Sequence, residues 1–201
     1  TALVAILLVL AAGPVPVAAS SWMIVDDNTG HVLAASGQNE KRQIASLTKI
    51  ATAMVVLDWA EASGTSLGTM VSVPPEVGGV GGVNPCQLQP GDQISLRDLL
   101  YSAMMSSDNH AAYTLAQNAG ARLPNPQALS PVDNFAAHMN ALARKLGMKR
   151  SLFLNPHGLD SMSPPPHSTA ADLARLTRYA YSHAGFNFYV SQPTREISIQ
   201  G

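Results

Sequence analysis

The spacing of apolar and polar positions changes several times along the chain, and each change predicts an element. Ala2 to Ala12 is an unbroken apolar run. Trp22 to Val25 and His31 to Leu33 flank Asp27-Asn28-Thr29-Gly30, which predicts a β-hairpin over Ser21 to Ala35. Asn28 and Gly30 are the turn residues that tolerate positive φ. From Ser46 to about Ala62 the apolar residues (Ile50, Ala53, Met54, Val55, Val56, Leu57, Trp59) cover nearly every face. A helix apolar all round is a buried one, so this segment reads as the central helix. Pro74 to Asp92, with Gly78-Gly79 and Gly81-Gly82, reads as an irregular excursion. Helical spacing returns at Leu96 to Met105, with Met104 and Met105 read as core, and around Ala111 to Ala119. Ser130-Pro131-Val132-Asp133 resembles a capping box opening a helix whose stripe is Phe135, Met139, Leu142 and Leu146, with Gly147 as its stop. Thr169 with Asp172 caps a further helix (Leu173, Leu176, Tyr179, Ala180) that ends by Gly185. Phe186 to Ile199 reads as strand. Strands, then helices, then strands indicate an α+β fold rather than alternating α/β.

The apolar run at the front is shorter than the roughly 20 residues a membrane-spanning helix needs. It fits the core of a signal peptide, with Val17 and Ala19 suiting cleavage after Ala19. Residues 1–19 are therefore expected to be a leader, incomplete at its start because no Met and no basic segment precede it. Residues 20–201 are expected to form a single domain, exported to the periplasm or cell envelope. The 201 residues carry 46% hydrophobic and 12% charged side chains, which argues against wholesale disorder. Twelve basic against 13 acidic residues, with no basic block, leave no electrostatic footprint for nucleic acid. The lone Cys86 excludes an internal disulfide framework. The six histidines (His31, His110, His138, His157, His167, His183) form no metal-ligand pair, so neither a metal nor another cofactor is expected.

The chemistry lies in Ser46-Leu47-Thr48-Lys49. Positions i and i+3 share a helix face, so the Ser46 hydroxyl and the Lys49 amine can meet. Lysine can take a serine proton only when neutral. From a reference of about 10.4 that requires a fall of about three pH units, which burial and a second cation could supply. The Ser46 N–H at a helix start could donate to an oxyanion. Ser-x-x-Lys alone is a weak signal, since Ser46 also fits a helix cap. A second element, Ser107-Asp108-Asn109, falls between two helical segments. It can aim a hydroxyl and a carboxamide at the same cleft and relay a proton to a leaving amine. The bland alternative is a polar turn with Ser107 as an N-cap.

Together the two motifs resemble the low-molecular-mass penicillin-binding proteins, the serine D-Ala-D-Ala carboxypeptidases and their endopeptidase relatives. The likeness extends through Asp27 to Gly30, Leu88-Gln89-Pro90-Gly91-Asp92, Asn155-Pro156-His157-Gly158-Leu159-Asp160 and Ser168-Thr169-Ala170-Ala171-Asp172. The glycine-rich excursion and Ile197 to Gly201 look more like the endopeptidase branch. The resemblance implies a β-lactamase/transpeptidase-like fold, a helical subdomain with an antiparallel sheet. It implies action on peptidoglycan stem peptides through an acyl-enzyme, with β-lactams as covalent inhibitors. By motif match Ser46 is the nucleophile, Lys49 its proton acceptor, and Ser107 and Asn109 the second wall. Peripheral association with a membrane stays open.

The family's third motif, Lys-Thr-Gly, has no counterpart, the last lysine being Lys149. The sequence is therefore expected to be a fragment lacking later sheet strands, with Trp22 to Val25 short of partners, and inactive or nearly so by itself. Three other readings remain beside the carboxypeptidase: an endopeptidase of crosslinked peptidoglycan, a class A β-lactamase, and a noncatalytic cell-wall-binding protein. Against the β-lactamase, Leu154-Asn155 is preceded by Ser151 where that family's deacylating Glu would stand. His157 is expected to pack or shape a turn, Asp108 to face away or brace its turn, and Cys86 to take no part in catalysis.

Overall fold

The computed structural model describes residues 21–159 and 163–201. The expected leader lies outside them. Strand β1 (Trp22–Val25) pairs antiparallel with β2 (Val32–Ser36). Their turn is organised by Asp26, whose Oδ1 accepts from the Thr29 N–H at 2.7 Å and the Thr29 hydroxyl at 2.6 Å. Of the two turn residues expected to take positive φ, only Gly30 does so, at +76°.

The central helix forms, but it begins later than its periodicity suggests. A 3-10 turn covers Ala45–Leu47, and helix α1 runs over Thr48–Ser63 to a left-handed Gly64. Helix α1 touches all five later helices: α2 (Leu96–Met105), α3 (Asn109–Gly120), α4 (Pro131–Lys145), α5 (Ala170–Ser182) and α6 (Ala184–Val190). Its apolar faces therefore all find partners, with Ala51, Met54 and Val56 fully buried. Leu99, Leu115, Phe135, Met139 and Leu176 close the core around it. The expected caps are present: the Ser130 and Thr169 hydroxyls accept from the Asp133 and Asp172 N–H groups.

Two readings need correction. Phe186 to Ile199 is not a strand. Residues 184–190 are helical and run through Gly185, and only Ile199–Gln200 (β5) is extended. Phe186 and Tyr189, three apart, are both buried, and Tyr189 meets Tyr101 of α2 with ring centroids 4.7 Å apart. That one-sided burial outweighs the strand preference of aromatic residues. A small antiparallel sheet also goes unforeseen, in which β4 (Gln93–Ser95) lies between β3 (Met70–Ser72) and β5. Met105, read as core, is 37% exposed at the last position of α2. The excursion before β4 is irregular, as read, apart from a 3-10 turn at Pro75–Gly79.

Candidate active site

Ser46 sits in the 3-10 turn rather than on the α-helix itself. The turn opens on Ala45, held at φ +44°, a left-handed conformation costly for a residue with a Cβ. Lys49 lies on the first turn of α1, 2% exposed, while Ser46 is open to solvent. The expected pairing holds across the change of helix type, with Lys49 Nζ 3.1 Å from Ser46 Oγ.

The second motif arrives on the α2–α3 junction. Ser107 is also left-handed, at φ +60°. Its hydroxyl donates to Ser46 Oγ at 2.8 Å and lies 3.4 Å from Lys49 Nζ. Asn109 is 4% exposed, and its Oδ1 accepts from Lys49 Nζ at 2.7 Å. The structure thus brings all four sequence-predicted residues into one hydrogen-bonded cluster. Between the two lies Asp108, fully buried, and it rather than Ser107 is the N-cap of α3. Its Oδ1 accepts from the Ala111 N–H at 3.1 Å. Its Oδ2 accepts from the Ser102 hydroxyl at 3.1 Å and the Cys86 N–H at 3.2 Å. Asp108 therefore braces the turn. Cys86 Sγ accepts from the Ser102 hydroxyl at 3.1 Å.

Burial pushes Lys49 down to about 8, against the opposing pull of the Asp108 carboxylate. The second cation expected near it is not what lowers it. Roughly one molecule in ten then holds a neutral amine at pH 7. Burial, reinforced by the Lys49 charge, pushes His157 down to about 4, so its imidazole is neutral at pH 7.

Two walls of the cluster are backbone carbonyls that sequence reasoning did not identify, although the loop of His157 reads as one that could border the cleft. The first is the loop from Asn155 to Leu159, whose His157 carbonyl accepts from Lys49 Nζ at 3.1 Å. Gly158, at φ +88°, packs so closely on the 3-10 turn that a Cβ there would run into the Ala45 carbonyl. Gly158→Ala is expected to destabilise the fold by about 2–4 kcal/mol, from φ strain plus overpacking, read as a lowered urea midpoint. The second wall is the glycine-rich excursion. Gly81 and Val83 accept, through their carbonyls, from the Asn109 side chain at 3.0 Å and the Asn109 N–H at 2.9 Å. The His110 ring lies 3.2 Å from both the Val80 and Leu88 carbonyls of the same loop. Backbone carbonyls carry no residue-type signature; only the glycines and the family resemblance marked these segments.

A cavity of about 420 Å³ opens beside Ser46, lined by Ala45, Leu47, Ile50, Ala103, Met104 and Ser107. Ser151, at the position compared with a β-lactamase Glu, instead bonds Ser168 and Asp172 at 2.7 and 2.9 Å. No group of three or more His, Cys, Asp or Glu able to hold a metal occurs among the described residues.

Residues 9–199 match the peptidase S11 family, described as D-alanyl-D-alanine carboxypeptidase. The chain belongs to that family. It is 36% identical over 183 residues to the D-alanyl-D-alanine endopeptidase of Pseudomonas aeruginosa, covering 91% of this chain and 54% of that protein. It is 36% identical over 164 residues to the D-alanyl-D-alanine carboxypeptidase DacC of Escherichia coli, covering 79% of this chain and 38% of that one. The fold matches the crystal structure of penicillin binding protein 6B from Escherichia coli with a TM-score of 0.78 at 30% identity, over 94% of this chain and 58% of that one. The chain thus spans about half the length of the curated relatives it matches. The S11 proteins are penicillin-binding proteins of the cell envelope and act in peptidoglycan metabolism.

Proposed function

We propose that this S11 chain carries the acyl-transfer centre of a serine-type D-Ala-D-Ala carboxypeptidase of the cell envelope, with Ser46 as nucleophile. The observation that carries the reading is the buried Lys49 amine, lowered to about 8 and 3.1 Å from Ser46 Oγ. In the proposed acylation, neutral Lys49 takes the Ser46 proton while Oγ bonds to the carbonyl carbon of the penultimate D-Ala. The carbonyl π bond opens to an oxyanion facing the Ser46 N–H. As that intermediate collapses, the peptide C–N bond breaks, and the proton passes from Lys49 through Ser107 to the leaving amine. Terminal D-Ala departs and an ester remains on Ser46, which water then hydrolyses. Asn109 holds Lys49 through its Oδ1 and ties it to the glycine-rich wall through its Nδ2.

The test is incubation of the full-length gene product with a fluorescent penicillin, followed by intact-mass analysis. The expected result is one added drug mass on Ser46, absent from Ser46→Ala. No adduct on the wild-type protein overturns the reading, and rapid nitrocefin turnover without a lasting adduct favours a β-lactamase instead.

An endopeptidase is the second reading, favoured by the relatives from Pseudomonas aeruginosa and Escherichia coli that bear that name, at 36% and 37% identity. Mass analysis of a D-Ala-D-Ala-terminated pentapeptide and a crosslinked peptide dimer separates the two. Loss of one alanine from the pentapeptide supports the carboxypeptidase, and scission of the dimer alone supports the endopeptidase.

A further inference from the structure

A neutral amine on a lysine offers two N–H groups and one lone pair, tetrahedrally disposed about nitrogen. Four oxygens surround Lys49 Nζ: Asn109 Oδ1 at 2.7 Å, the His157 carbonyl and Ser46 Oγ at 3.1 Å each, and Ser107 Oγ at 3.4 Å. The first two can only accept. The Asn109 amide cannot reverse, because its Nδ2 donates to the Gly81 carbonyl at 3.0 Å, which also only accepts. When Lys49 gives up a proton, its two remaining N–H groups are therefore drawn to Asn109 and His157. The lone pair is left facing the hydroxyls.

The His157 carbonyl is itself held by one side chain. Asn155 Oδ1 accepts from the Gly158 N–H at 2.6 Å and the His157 N–H at 3.2 Å, and Asn155 Nδ2 donates to the Leu159 carbonyl at 2.8 Å. These three bonds curl residues 155–159 into a tight turn closed by left-handed Gly158. The neighbouring carbonyl, that of Pro156, points the other way and accepts from the Thr52 hydroxyl at 2.7 Å.

We infer that Asn155 is a positioning residue: by fixing the His157 carbonyl against Lys49 Nζ, it aims the amine's lone pair at the Ser46 hydroxyl. The inference rests on the reading of Lys49 as base. Among the described residues, the charged group acting on Lys49 is Asp108, and the His157 imidazole beside it is neutral.

The experiment compares Asn155→Ala, Asn155→Asp and Thr52→Val in the full-length gene product. The readouts are acylation rate against pH, the Lys49 titration followed by NMR of labelled lysine, and the melting temperature. Asn155→Ala is expected to slow acylation at the high-pH plateau by about ten- to a hundredfold, since small misplacements of a reacting group cost that much. Its Lys49 titration should nevertheless move to lower pH, because the ammonium has lost an acceptor. A base more often neutral yet slower is a signature that a loss of packing does not produce. Asn155→Asp keeps the oxygen that accepts both N–H groups but cannot donate to the Leu159 carbonyl, so the plateau rate should return in part, while its charge moves the titration up. Thr52→Val loosens the same loop and should lower only the melting temperature. Wild-type rate and titration in Asn155→Ala, or equal losses in Asn155→Ala and Thr52→Val, overturn the inference. If the wild-type protein is not acylated at all, the proposed function falls. The positioning role is then decided by whether Lys49 titrates differently in Asn155→Ala, an unmoved titration overturning it.

Discussion

Exchanging Lys49 for methionine is expected to slow acylation of Ser46 by on the order of 10²–10⁴-fold, the span removed with a general base. Methionine matches the length of the lysine stem and its packing, so the loss is one of chemistry. Lys49→Arg should not restore the rate, because a guanidinium never becomes neutral in this range. The wild-type protein carries its own control in its pH dependence. Only the neutral amine can accept the proton, and burial has brought Lys49 down from the ordinary 10.5 to about 8. Acylation by a fluorescent penicillin should therefore fall about tenfold per pH unit below 8 and level off above it. At pH 7 the lowering multiplies the neutral fraction by roughly 300 over an exposed lysine. A flat profile between pH 6 and 9, or an undiminished rate in Lys49→Met, would remove Lys49 from the role of base.

The site was legible in the sequence where its chemistry is local. Ser46 and Lys49 stand three apart, and either a 3-10 or an α turn brings them together, so the pairing survived an error in helix type. The error has a distant cause. Left-handed Ala45 lies against Gly158, and no window around Ala45 contains that neighbour. Ser130 and Thr169 were readable as caps because hydroxyl and N–H lie within one turn. The three-residue strands β3 and β4 were not readable, being too short for alternation to show. Phe186 to Val190 was misread because its aromatic residues favour strands in isolation, whereas the packing of Tyr189 on Tyr101 is a property of the fold. The His157 carbonyl was beyond reach altogether, since any residue at that position supplies the same oxygen.

Asp108→Ala is expected to lower stability by about 2–4 kcal/mol. Removing the α3 cap accounts for about 1 kcal/mol and the orphaned Cys86 N–H for about 1–3 kcal/mol, while the Ser102 hydroxyl keeps Cys86 Sγ as an acceptor. For a domain of this size the melting temperature should drop by roughly 10 °C, readable by calorimetry. Asp108→Asn separates the brace from the charge. An amide keeps one accepting oxygen, so either the cap or the Ser102–Cys86 pair survives and about half the stability loss remains. The carboxylate also raises the Lys49 pKa against the effect of burial. With that charge gone, the ammonium loses support and Lys49 should titrate lower, moving the acid limb of acylation to lower pH. The variant should thus be less stable yet acylate relatively faster in acid than the wild-type protein. If the limb stays put while the melting temperature falls, Asp108 acts on the site through shape alone. A limb moving to higher pH would instead mean that the disturbed Ser107–Asn109 turn has let water in to Lys49.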